Sequence, residues 1–193
     1  MRAEESTSIE RMFAPQSAGS TGAVRVLGID PGLTRCGYAV LAPVSNTVIE
    51  TLSLGVMRTS PNDDVSTRLA TLLDDINAIL DEFRPTAVAV ERVFFQTNVR
   101  TAISVAQASG VVLAASAQRG CDVAHYTPSQ VKDAVAGWGG ADKAQVQKMV
   151  QMRLGLDSPP RPPDAADAAA LALCHLAMSR PLVSVGRTSG VAR

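Results

Sequence analysis

Residues 24–40, VRVLGIDPGLTRCGYAV, decide the fold. An apolar run ends at one aspartate, Asp30, a proline-glycine turn follows, and a second apolar run begins. Two such runs across a short turn predict a pair of strands joined by a hairpin. A carboxylate at the end of a buried strand is costly to desolvate unless something binds it. Asp30 therefore needs a partner, and the rest of the chain has to supply one.

Working outward, "PVSN" separates the second run from a third, so the pattern predicts strands over 24–30, 36–43 and 47–58 in a meander. Val65, Leu69, Leu72, Leu73, Ile76, Ile79, Leu80 and Phe83 then recur at helical spacing, with Arg84-Pro85 as the stop. "TAVAVE" reads as a buried strand ending in Glu91, followed by a helix near 98–118, a strand at "DVAHYT" and a helix near 141–154. A last helix opens behind the prolines of "RPPDAADAAALALCHLAM". A meander followed by alternating strand and helix indicates a mixed sheet with helices on its faces, an α/β domain.

The helix "NVRTAISVAQASGVVLAASAQ" carries Ala, Ser, Gly and Val on nearly every face, the pattern of a helix buried on two sides. One side can cover the sheet. The other takes either a second copy of the chain or the interior of a larger core.

At 193 residues, 46% hydrophobic and 19% charged, the chain has the composition of one ordinary soluble domain. No uncharged apolar run reaches the roughly 18 residues of a membrane span, and Glu4, Glu5, Glu10 and Arg11 fall where a signal peptide needs an apolar core. The expectation is a cytoplasmic protein without a membrane partner, with a disordered tail over 1–23, a domain over 24–180 and a flexible tail over 181–193. Cys36, Cys121 and Cys174 are scattered without a CxxC pair, so neither a disulfide framework nor a zinc site is indicated. The formal net charge is zero, which argues against indiscriminate coating of nucleic acid. The charge is uneven, however: residues 1–83 carry 6 basic and 11 acidic side chains, residues 84–155 carry 8 and 4. Lys132, Lys143 and Lys148 all lie in that basic middle, as a phosphate-facing surface or as a solvated helix face.

Four acids fall at element ends: Asp30, Glu91, Asp164 and Asp167. A spacing of three puts Asp164 and Asp167 on one helix face, continued by Leu171, Cys174 and Met178. No basic residue in "PPDAADAAALALCH" pairs with them, whereas a divalent cation would. Hard cations such as Mg²⁺ take oxygen ligands, and two of them can stabilise an in-line phosphoryl displacement. Asp164 taken alone also reads as a plain first-turn aspartate, and Glu91 alone as a strand-end surface residue. His175 follows Asp164 by eleven residues, roughly 16 Å along a helix, so it cannot share a metal with it and reads as structural. No Gly-x-Ser-x-Gly elbow supports serine catalysis, and Cys36 and Cys174 read as core thiols.

"GIDPGLTRCGYAV", "VAVERVFF", "VKDAVAGWGGADKAQVQKMV" and "PPDAADAAALALCH", in this order, make residues 24–180 resemble the RuvC family of bacterial Holliday junction resolvases. The resemblance implies a ribonuclease H-like fold, a five-stranded mixed sheet flanked by helices, and a homodimer that gives the two-faced helix a place at the dimer interface. It implies that Asp30, Glu91, Asp164 and Asp167 hold Mg²⁺ and cut DNA, with two ions per active site and Mn²⁺ able to substitute. It places Lys143 where a cation stabilises charge on the phosphate, Lys132 on the DNA backbone, and Phe94 as an aromatic that stacks on unpaired bases. The implied reaction is paired, symmetric nicking of a four-way DNA junction that leaves 5′-phosphate and 3′-hydroxyl ends, with the RuvA and RuvB branch-migration proteins as partners. Three other readings compete: an actin-like ATPase or sugar kinase, which needs a second domain and phosphate loop; a junction binder without chemistry; and a related nuclease that processes RNA.

Overall fold

The computed structural model describes residues 9–11, 24–92 and 99–179. Along the described chain run β1 (Ile9–Arg11), β2 (Val26–Asp30), β3 (Arg35–Pro43), β4 (Ile49–Arg58), α1 (Val65–Phe83), β5 (Ala87–Glu91), α2 (Val99–Gln118), β6 (Asp122–Tyr126), α3 (Pro128–Ala136), α4 (Lys143–Arg153) and α5 (Pro163–Met178). The strands form one sheet in the order β1-β4-β3-β2-β5-β6. β2, β3 and β4 are the antiparallel meander, and β5 and β6 add to β2 in parallel.

All five expected strands are present. The sixth, β1, lies within the segment expected to stand outside the fold, and it pairs antiparallel with β4 through Ile9↔Met57 and Arg11↔Gly55. Without it β4 would end the sheet with a row of unpaired backbone groups, and even a short strand satisfies some of them.

The period of two along each strand sorts the core into two layers. Leu27, Ile29, Tyr38, Val40, Val88 and Val90 face the layer that α1 and α2 fill with Leu72, Ile76, Ile79, Ala108 and Val112. Val26, Ala39, Leu41 and Ala89 face the opposite layer, filled by α5 and, behind it, by Val135 of α3 and Val146 and Val150 of α4. By the same alternation Asp30 and Glu91 fall on the α5 side, at the carboxyl ends of adjacent parallel strands.

α5 is apolar on most of its faces because the sheet covers one side and α3 and α4 the other. Its alanines let it sit close to the sheet, and two glycines set how close. A Cβ at Gly28 would collide with the Ala168 carbonyl oxygen and lie 2.8 Å from the Ala172 nitrogen, and one at Gly37 would collide with the Asp164 carbonyl. Gly37 is also the register partner of Asp30. The first turn of α5 is thereby pressed onto the strand ends that carry the acids.

α1 has the ends its pattern predicts: Arg84 takes a left-handed φ of 45° and donates its N–H to the Leu80 carbonyl at 2.9 Å before Pro85. α3 is an addition: it is short, and its apolar stripe is only Val131, Ala134 and Val135, packed against the α5 layer. What starts it is local: Thr127 and Gln130 form a reciprocal capping box around Pro128, and Gly137, at φ 86°, ends it. No described helix is long and apolar enough to cross a membrane.

Candidate active site

Asp30, Glu91 and Asp167 meet in one cleft of about 380 Å³, lined also by Lys132 and Lys143 and floored by Val131, Val146 and Leu171. Each acid arrives for a local reason. Strand alternation delivers Asp30 and Glu91 side by side, because Ile29↔Val90 is the register pair just before them. The spacing of three along α5 turns Asp164 and Asp167 toward the same strand ends. Asp164 does not line the cleft itself, being held beside Gly37.

The expected lack of basic partners for the α5 acids is corrected here. Asp164 is bonded by Arg35, which opens β3: Nε donates to Oδ2 at 3.1 Å, and Nη2 donates to the same oxygen. Lys143, the first residue of α4, donates from Nζ to Asp167 Oδ2 at 2.7 Å. Both cations are remote in sequence, Arg35 by 129 positions and Lys143 by 24. That separation kept Arg35 out of the sequence reading.

Among the described residues no cation bonds Asp30, although the Lys143 charge lies near enough to favour its ionised form. Burial, and then the charges of Asp167, Glu91 and Asp164, push its carboxyl up from 3.8 to about 7. Glu91 is raised as well, first by burial and then by Asp167. Burial is the largest influence on Asp164 and works against its ionisation, but the Arg35 hydrogen bond, a backbone hydrogen bond and the charges of Arg35 and Lys143 together outweigh it and hold that carboxyl below its usual range. Lys143 is raised by its hydrogen bond to Asp167, which keeps it charged.

These residues fit a hard divalent cation by the chemistry of the donor set. Every donor is a carboxylate oxygen, and among the described residues no hydrogen-bond donor reaches the half-buried Asp30 carboxylate. Among the described residues no three His, Cys, Asp or Glu side chains close on a common centre, and the cations Arg35 and Lys143 hold the two α5 acids. Among the described residues the arrangement is thus two acids without a bonded cation, Asp30 and Glu91, beside two salt-bridged ones.

Other sequence expectations resolve as follows. His175 is structural: its Nδ1 lies 2.9 Å from the Tyr126 hydroxyl and its Nε2 3.0 Å from Ser179 Oγ, and burial lowers its pKa. Cys36 and Cys174 are core thiols, pushed by burial up to about 12 and about 11. The stripe begun by Asp164 and Asp167 stays buried through Leu171 and Cys174, but Met178 is exposed because α5 outruns the sheet there. Lys132 lines the cleft from α3. Phe94 lies outside the described residues.

Comparison with known proteins converges on one family. The family model described as crossover junction endodeoxyribonuclease RuvC matches residues 26–175. A crossover junction endodeoxyribonuclease RuvC from Streptomyces avermitilis is 53% identical over 79% of this chain and 87% of its own length. One from Salinispora arenicola is 54% identical over the same shares. Among solved structures, Thermus thermophilus RuvC in complex with a Holliday junction substrate superposes with a TM-score of 0.78 at 41% identity, covering 81% of this chain and 95% of that one. The yeast mitochondrial Holliday junction resolvase Ydc2, at 14% identity and a TM-score of 0.59, shares the fold. With its mixed sheet, its acids at the strand ends and these relatives, the chain belongs to the crossover junction endodeoxyribonuclease RuvC family.

Proposed function

We propose that the chain resolves Holliday junctions by paired, symmetric, Mg²⁺-dependent nicks that leave ligatable 5′-phosphate and 3′-hydroxyl ends. One observation carries the proposal: two strand ends and a helix start gather Asp30, Glu91 and Asp167 beside two lysines in one cleft, with Asp164 held next to them by Arg35. Asp30, Glu91, Asp164 and Asp167 would hold the metal, and the all-oxygen set suits Mg²⁺ with Mn²⁺ as a substitute. When bound, such an ion supplies an activated water at neutral pH and neutralises charge on the phosphate.

The chain's own groups do the rest. Lys143, exposed over much of its length while anchored on Asp167, places its ammonium where the phosphate gains charge as the bond breaks. Lys132, on the adjoining wall, contacts the backbone and positions the strand. The apolar floor under the acids excludes water and strengthens every charge interaction above it.

A homodimer would present two such clefts to a junction that is itself nearly two-fold symmetric. In support, α2 buries Ala108, Val112 and Ala115 but leaves Ile103 52% exposed, with Gln107, Gly110 and Ala114 on the same face. A Cβ at Gly110 would meet nothing within 4 Å. Of the two partners open to that helix, a second copy is the one this exposure favours. Phe94 as the base-stacking aromatic and RuvA and RuvB as partners belong to the same proposal.

The test is cleavage of a synthetic mobile four-way DNA junction, in Mg²⁺ and in EDTA, beside linear duplex and RNA–DNA hybrid controls. Symmetric, ligatable, Mg²⁺-dependent nicks on the junction alone are expected. Tight binding without nicking, or cutting of the hybrid alone, overturns the proposal.

A further inference from the structure

The two salt-bridged acids of α5 are held in different ways. Lys143 is a single charge on a flexible stem, 63% exposed. Arg35 starts on the same sheet face as Gly37 and brings two donors of its planar fork to one oxygen of Asp164. Its side chain is 38% exposed and that of Asp164 26%, so water screens this pair less than a surface pair. The Asp164 backbone is packed closely on β3, its carbonyl resting on Gly37 two residues from Arg35. Any cation approaching Asp164 must share the carboxylate with a fixed guanidinium or displace it. On the other side of the cluster, no described cation bonds Asp30.

We propose that Arg35 is a positioning residue that competes with a divalent cation for Asp164, so that the Asp30–Glu91 side of the cluster loads first and the Asp164 side loads weakly until another anion takes the guanidinium. A nucleic-acid phosphate is the anion at hand, since a guanidinium fork matches its oxygens as well as it matches a carboxylate. Arg35 thereby makes occupancy of the second position depend on substrate, and a cluster of acids without DNA is kept from filling with metal. The inference rests on the metal-assisted nuclease reading above.

Mn²⁺ titration of the purified full chain without DNA, with free Mn²⁺ followed by electron paramagnetic resonance, tests it. Removing one partly screened ion pair in Arg35→Gln should tighten the weaker Mn²⁺ site about three- to tenfold and leave the tighter one unchanged. Arg35→Lys, which keeps the charge but loses the two-donor fork, should fall between the parent and Arg35→Gln. Arg58→Gln removes a like charge at the cross-strand partner of Arg35 and controls for the general field. Equal tightening by Arg58→Gln, or none by Arg35→Gln, overturns the inference while leaving junction cleavage by the parent chain as a separate result. Failure of the parent and of Arg35→Gln alike to bind Mn²⁺ overturns the inference together with the metal assignment.

Discussion

Asp30→Asn should make the metal-free protein more stable, and only at neutral to alkaline pH. The folded chain raises the Asp30 carboxyl from 3.8 to about 7 through burial and the charges of Asp167, Glu91 and Asp164. Between about pH 4 and pH 7 the folded state therefore holds a proton that the unfolded state has released, so stability falls as pH rises through that window. Above about pH 7 the penalty is complete. A rise of that size corresponds to roughly 4 kcal/mol, and because the neighbouring acids can relax or share the proton, the recoverable part is roughly 2–4 kcal/mol. An amide keeps the shape and removes the charge. Urea denaturation in EDTA should show Asp30→Asn more stable than the parent by roughly 2–4 kcal/mol at pH 8, with the gap falling below about 1 kcal/mol at pH 4. Adding Mg²⁺ should narrow the gap at pH 8 by stabilising the parent through mass action. A gain independent of pH, or no gain at pH 8, would refute the claim that uncompensated charge at Asp30 strains the folded site.

Asp30→Asn and Asp164→Asn should abolish nicking while largely sparing junction binding, read by gel shift in Ca²⁺ beside cleavage in Mg²⁺; equal losses would contradict the assigned roles. Lys143→Ala should slow nicking by about 10²-fold, the scale of losing one charge-stabilising donor, and weaken binding far less. Gly37→Ala should cost about 2–3 kcal/mol in denaturation, since its new Cβ meets the Asp164 carbonyl and overpacking is answered by backbone shift. It should also impair nicking through the displaced Asp164, and a Gly37→Ala protein of parental stability would show that the close approach is not obligatory.

Most of the architecture was legible because it is written locally. α1 carries a full apolar stripe and a proline stop, and its ends at Val65 and Phe83 are those its pattern predicts. The acids were legible for the same reason: strand ends and a spacing of three locate Asp30, Glu91, Asp164 and Asp167 before any tertiary contact is known. α3 was missed because at nine residues its stripe is only Val131, Ala134 and Val135, although the capping box in Thr127-Pro128-Ser129-Gln130 was there to be read. β1 was missed because three residues carry no periodicity, and only the free edge of β4 gives them a place. Arg35 was missed for a stronger reason. It lies beside Asp30 in the chain, yet the acid it meets is 129 positions away, and nothing in "GLTRCG" distinguishes it from a solvated arginine at a strand start.

That asymmetry changes what the acidic cluster is. Four carboxylates with no local base ask for about two divalent cations to balance them, which is how the sequence alone presents the site. Once Arg35 and Lys143 are placed, four carboxylates face two protein cations, and the excess that remains is borne where no described cation bonds, at Asp30 and Glu91. Those are the groups whose pKa values rise, so at neutral pH a proton already offsets part of the excess. A metal held there, as proposed, would compete with that proton for the same oxygen atoms, while Arg35 keeps the Asp164 carboxyl below its usual range. The fold thus divides the quartet between two strand-end acids that no described cation bonds and two helix acids salt-bridged by residues on β3 and α4. Only the first half of that division follows from where the acids fall in the sequence.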